Sequence, residues 1–151
     1  MKYTVRQKLF APRSEYLVTD ADGREIYRLL GDDFIGRTLH MCDTRGEEAG
    51  VLHFRRRRGL VSYQVERHGE TLKMRQKLTF LNYRFAGDAS PWEVAIGLAG
   101  RRFTLREGHD GPVRLTARKR LFCWGECFDA EISPGADPVL CLLLLLGAGR
   151  R

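Results

Sequence analysis

The run DPVLCLLLLLGAG at residues 137–149 restricts what this chain can fold into more than any other stretch. Asp137 suits a helix N-cap, Pro138 suits the first helical position, and Gly147 and Gly149 are expected to end the helix. A helix resting on a sheet keeps one polar stripe for water; this one is apolar on every face. It is also too short for a bilayer span, which needs about 20 residues. Burying its six leucines is worth on the order of 10 kcal/mol before entropy is counted. The helix must therefore be enclosed by the rest of the chain.

The rest of the chain reads as strands. YLVTDADGREIYRLL, TLHMCDTRGEEAGVLHF, YQVERHGETLKM and FTLREGHDGPVRLTA each place a glycine turn between β-rich runs, the pattern of a hairpin. The turn glycines Gly23, Gly46 and Gly69 recur every 23 residues. The tetrapeptide RQKL occurs at residues 6–9 and 75–78, which is 69 residues or three such periods apart. A short repeat at a supersecondary period marks equivalent structural slots. The register drifts after Gly87, where GDASPWEV reads as a longer connection. Strands are expected at 3–9, 16–20, 25–30, 37–42, 49–54, 61–66, 71–76, 83–86, 92–96, 102–106, 113–118 and 127–132. About twelve antiparallel strands in one small domain favour a sandwich or a closed barrel, because closure removes exposed edges. A barrel with the helix threaded through it satisfies both the strands and the helix.

At 151 residues, with 43% hydrophobic and 30% charged residues, the chain reads as a single globular domain spanning 1–151. No apolar leader segment is legible in MKYTVRQKLFAPRSE, so a cytoplasmic protein is expected, with its four cysteines as reduced thiols. The net charge of +7 is unevenly spread. Residues 15–48 hold nine acidic and four basic side chains, whereas residues 55–84 hold nine basic and two acidic. A basic middle of this kind suits phosphate on lipid or on nucleic acid, or a solvated wall.

QKLFAPRSEYLVTDADGREIYRL, RQKLTFLNYRF and DPVLCLLLLL together resemble the LURP-one-related family, also called YxjI-like, over essentially the whole chain. The resemblance implies a mainly β, tubby C-terminal-like fold: a closed antiparallel β-barrel of about twelve strands around a central hydrophobic C-terminal α-helix. Tubby domains bind phosphoinositide headgroups through basic wall residues and are linked to membrane-tethered transcriptional regulation. The related phospholipid scramblases add a cysteine-rich palmitoylated segment, a calcium-binding segment and a membrane-inserting C-terminus. No such cysteine cluster is legible here and the tail reaches only Arg151, so scrambling is not expected.

Candidate ligand residues are Arg55, Arg56, Arg57 and Arg58 in FRRRRGL, with Lys73, Arg75 and Lys77 alternating on a neighbouring expected strand. On a strand only alternate arginines of the run share a face; in a loop all four can converge. Lys119 and Arg120 are a weaker extension. DADG at residues 20–23 has the opening of a calcium loop but lies between strands, so a hairpin turn is expected. Cys123, Cys127, His40 and Cys42 lack a paired zinc spacing, and Cys141 is expected in the core. His40, His53, His68 and His109 have no nucleophile context, and no glycine-rich phosphate loop opens a helix. The expectation is a non-enzymatic binding or scaffold module without cofactor or metal. Its expected partners are anionic phospholipid headgroups at a membrane surface or an acidic protein. The rivals are nucleic-acid binding, with Tyr63, Tyr83 and Phe85 available for stacking, and an enzyme with its site at the barrel mouth.

Overall fold

The protein is described by a computed structural model over residues 1–33, 36–78, 83–87, 90–97 and 99–150, with the side chains of Leu78 and Tyr83 outside the description. Alternation of apolar and polar residues builds β1 (Lys2–Gln7), β2 (Glu15–Asp20), β3 (Glu25–Gly31), β4 (Thr38–Asp43), β5 (Glu48–Arg57) and β6 (Leu60–Arg67). β7 (Glu70–Leu78), β8 (Tyr83–Gly87), β9 (Trp92–Ile96), β10 (Arg102–Glu107), β11 (Val113–Lys119) and β12 (Cys127–Ile132) follow. Each strand pairs antiparallel with its chain neighbours, and β12 pairs with β1 to close the barrel. All twelve expected strands are present. β1 stops two residues early, where Phe10 turns the chain at a positive φ of 61°. β5 runs three residues further than expected, through Arg57. The longer connection expected after Gly87 falls partly on residues 88 and 89, outside the described residues.

On β6, Val61, Tyr63 and Val65 are buried while Ser62, Gln64 and Glu66 face outward. The same alternation around the ring lines a lumen that α1 (Pro138–Gly149) fills. Leu142, Leu143, Leu144, Leu145 and Leu146 are wholly inaccessible to solvent. Asp137 caps the helix by accepting from the Val139 N–H at 3.1 Å, and its carboxylate is gripped by Arg67 at 2.9 Å. Gly147 does not stop the helix, which continues through it and ends at Gly149. A Cβ at position 147 would run into the Tyr63 ring, and one at 149 would lie 2.6 Å from Phe128 Cζ. These glycines let the barrel wall approach the helix backbone, and the Tyr63 hydroxyl donates to the Leu144 carbonyl at 2.9 Å.

Antiparallel order sends alternate connections to opposite ends of the barrel. The end where the helix starts carries the turns of Gly23, Gly46 and Gly69. In the first two, Asp20 and Asp43 each accept two backbone N–H groups at 2.9 and 3.0 Å, so DADG is a capped hairpin turn. The end where the helix stops carries the β1–β2, β5–β6 and β11–β12 connections, and there Arg150 donates to the Gly36 carbonyl and stacks over Phe54.

The RQKL repeat is structural. β1 and β7 stand six strands apart on opposite sides of the ring. In each, the Arg faces out while the Gln takes inward parity at the same end and accepts a backbone N–H from the adjoining chain. Gln7 Oε1 accepts from Glu126 at 3.0 Å, and Gln76 Oε1 accepts from Val61 at 3.1 Å.

Candidate functional site

The arginine run is strand as far as Arg57, and Arg58 turns at a positive φ of 52° before Gly59. Strand alternation therefore divides the run. Arg56 pairs with buried Val61 and takes inward parity at the barrel mouth, while Arg55 and Arg57 face outward. On β7, Met74 is buried, so Lys73, Arg75 and Lys77 face outward as well. Register makes these two sets neighbours. Arg55 lies opposite Ser62, and Ser62 lies opposite Arg75 on its other side. Lys73 lies opposite Gln64, which pairs with His53. Strand spacing puts Arg55 and Arg75 about 10 Å apart across β6, and successive outward residues on one strand about 7 Å apart. Of the seven candidate residues, Arg55, Arg57, Lys73, Arg75 and Lys77 thus share one outer face; Arg56 and Arg58 sit at its end.

All seven are exposed. Among the described residues, Arg55, Arg57, Lys73 and Lys77 form no ion pair, unlike many other arginines of the wall. Arg28 is held by Glu15 and Glu25, Arg114 by Glu107 at 3.1 Å, and Arg84, the β8 neighbour of Lys77, by Glu93 at 3.3 Å. Lys119 and Arg120 do not extend this face. Lys119 ends β11, four strands beyond β7, and Arg120 follows it, occupied by Asp129 at 2.7 and 2.6 Å, hydrogen bonds that hold the Asp129 carboxyl below its usual range.

A family model described as LURP-one-related matches residues 1–147. The chain belongs to the LURP-one-related family. No curated protein and no solved structure matches it. In this LURP-one-related barrel the lumen is given to core packing. Tyr63 and Phe85 face inward with ring centroids 5.2 Å apart, and Tyr83's side chain lies outside the described residues. Cys141 is buried in the helix, where desolvation pushes its thiol up to about 12. Among the described residues no helix is long and apolar enough to cross a membrane, and no cluster of His, Cys, Asp and Glu has metal-site geometry.

Two features escape a reading of the sequence alone. Arg101, Arg102 and Arg118 surround a 220 Å³ pocket, with Arg102 and Arg118 directly opposed across β10 and β11 and the buried Arg101 Nε without an acceptor. They are up to 17 residues apart in the chain, so no local run announces them. The second feature is a set of aromatic side chains that the fold leaves in water: Phe10, Phe122 and Trp124.

Proposed function

We propose that this protein is a non-enzymatic binding module that recognises anionic phospholipid headgroups on the outer face of β5, β6 and β7, acting at the periphery of a cytoplasmic membrane surface. The observation that carries this reading is the register that sets Arg55, Arg57, Lys73, Arg75 and Lys77 side by side. Arginine forks and lysine ammonium groups both suit phosphate oxygens. Ser62 between Arg55 and Arg75 adds a hydroxyl, and Gln64 between His53 and Lys73 adds an amide. Each cation near an anionic bilayer is worth about 1 kcal/mol, so five give roughly 5 kcal/mol, a reversible attachment with a Kd of about 0.2 mM.

Co-sedimentation tests this with neutral, phosphatidylserine and phosphoinositide vesicles at low and physiological salt. The expected result is headgroup-selective binding that persists at physiological salt. Neutralising the five residues to glutamine should abolish it while leaving the thermal transition in place. Binding that follows vesicle charge alone and vanishes with salt would overturn the reading. Tight, steeply salt-dependent binding to DNA without lipid preference would replace it with nucleic-acid recognition.

A further inference from the structure

Strand order brings two loops together at the end of the barrel where α1 stops. β1 and β12 are neighbours, so the β1–β2 loop and the β11–β12 loop emerge side by side, tied by the Gln7 N–H to the Glu126 carbonyl at 2.8 Å. At their tips Phe10 is 103% exposed, Phe122 101% and Trp124 85%; Leu9 and Leu121 are also exposed. Large apolar side chains this open are not core residues misplaced at the edge. They project from turns with no described side chain above them, and together they form an exposed apolar rim.

The two loops and the strand ends beside them are rich in cations. Residues 6–15 and 118–129 carry six basic and three acidic side chains. The three acids are already engaged: Glu15 by Lys8 and Arg28, Glu126 by Tyr16 and Lys119, Asp129 by Arg120. Arg13 and Arg118 are left without a described carboxylate. Between the loops lies an amphipathic pocket of about 470 Å³ lined by Leu9, Leu17, Phe122 and Trp124 on its apolar side and by Arg6 and Lys8 on its polar side. Protruding aromatics backed by cations match the layering of an anionic bilayer, with apolar tips below the headgroups and basic groups level with phosphate.

We propose that Phe10, Phe122 and Trp124 insert into the interfacial layer of an anionic membrane, docking the barrel end-on. The inference rests on the headgroup reading above and deepens it. The turn of Arg57, Arg58, Gly59 and exposed Leu60 is at the same end of the barrel, across the ring from the rim, so insertion of the rim brings the end of the β5–β7 face that carries Arg57 and Lys77 towards headgroup level. The rim supplies hydrophobic anchorage that five surface charges lack.

The two tryptophans make this measurable. Trp92 begins β9 at the far end of the barrel and packs on the core, whereas Trp124 sits on the rim. In a Trp92→Phe background, phosphatidylserine vesicles should shift Trp124 emission to the blue, and brominated lipid should quench it. The triple variant Phe10→Ser, Phe122→Ser, Trp124→Ser should bind these vesicles at least about tenfold more weakly with an unchanged thermal transition, since all three side chains are in water. Vesicle binding by the triple variant equal to wild type, together with no shift of Trp124 emission in the Trp92→Phe protein, would overturn rim insertion and leave the headgroup face standing. A Trp124 shift on neutral vesicles that survives neutralisation of the β5 and β7 cations would support insertion and overturn headgroup recognition. No binding to any vesicle would overturn both. Lipid-free self-association that the triple variant abolishes would identify a second copy of the chain as the rim's occupant, and overturn insertion.

Discussion

At the scale of single residues, the two copies of RQKL show what a repeated tetrapeptide is for. Gln7 and Gln76 occupy opposite points of the ring and do one task, accepting a backbone N–H that the ladder leaves unpaired. Replacing either with Ala should cost about 0.5–1.5 kcal/mol. The sites share no partner, so the double variant should lose the sum, as denaturant titration can check. His40 makes a second prediction. Burial pulls its pKa down, but the hydrogen bond to Glu48 at 2.7 Å and the charge of Asp32 at 2.9 Å outweigh this and raise it above the usual value. Protonation is therefore favoured in the folded state. The stabilisation is fully present below about pH 6.5, the ordinary unfolded value, and is lost as pH rises through the raised folded value. The stability gap between wild type and His40→Asn should be wider at pH 5.5 than at pH 8.5; an equal gap would remove this role. The residue pattern made the glutamine slots legible, because their period is written in the chain. The partners of His40 were not legible, because Asp32 lies in the β3–β4 connection and Glu48 at the start of β5.

At the scale of elements, the helix was the clearest message of the sequence and its terminal glycines the least clear. Six leucines on all faces require enclosure whatever the surrounding topology. Helix-end glycine is a common rule; it holds at Gly149, where α1 ends, and failed at 147 because the need for close approach to Tyr63 decided that position instead. Gly147→Ala should therefore destabilise the protein by about 1–3 kcal/mol through overpacking, despite alanine's higher helix propensity. A gain in stability, read from the denaturation midpoint, would mean that propensity outweighs contact there. The arginine run teaches the complementary lesson. FRRRRGL could be strand or loop by composition, and only the pairing of β5 with β6 through Arg57 and Leu60 decides that its residues alternate.

At the scale of the whole molecule, the barrel separates two jobs. The lumen is filled by α1 and gives stability; the outer wall and the helix-stop end keep the cations and aromatics that the core has no use for. The sequence exposed the charge excess of residues 55–84 but not its division into an outward five and a flanking two, which depends on register. It missed the aromatic rim altogether, since Phe10 and Phe122 look like core residues until β1 and β12 are known to be neighbours. The most direct test of headgroup recognition is chemical-shift mapping with a soluble inositol phosphate on the isotopically labelled protein. The backbone amides of β5, β6 and β7 around Arg55, Ser62 and Arg75 should move together and saturate. Shifts that saturate on another wall of the barrel, or none at all, would contradict it.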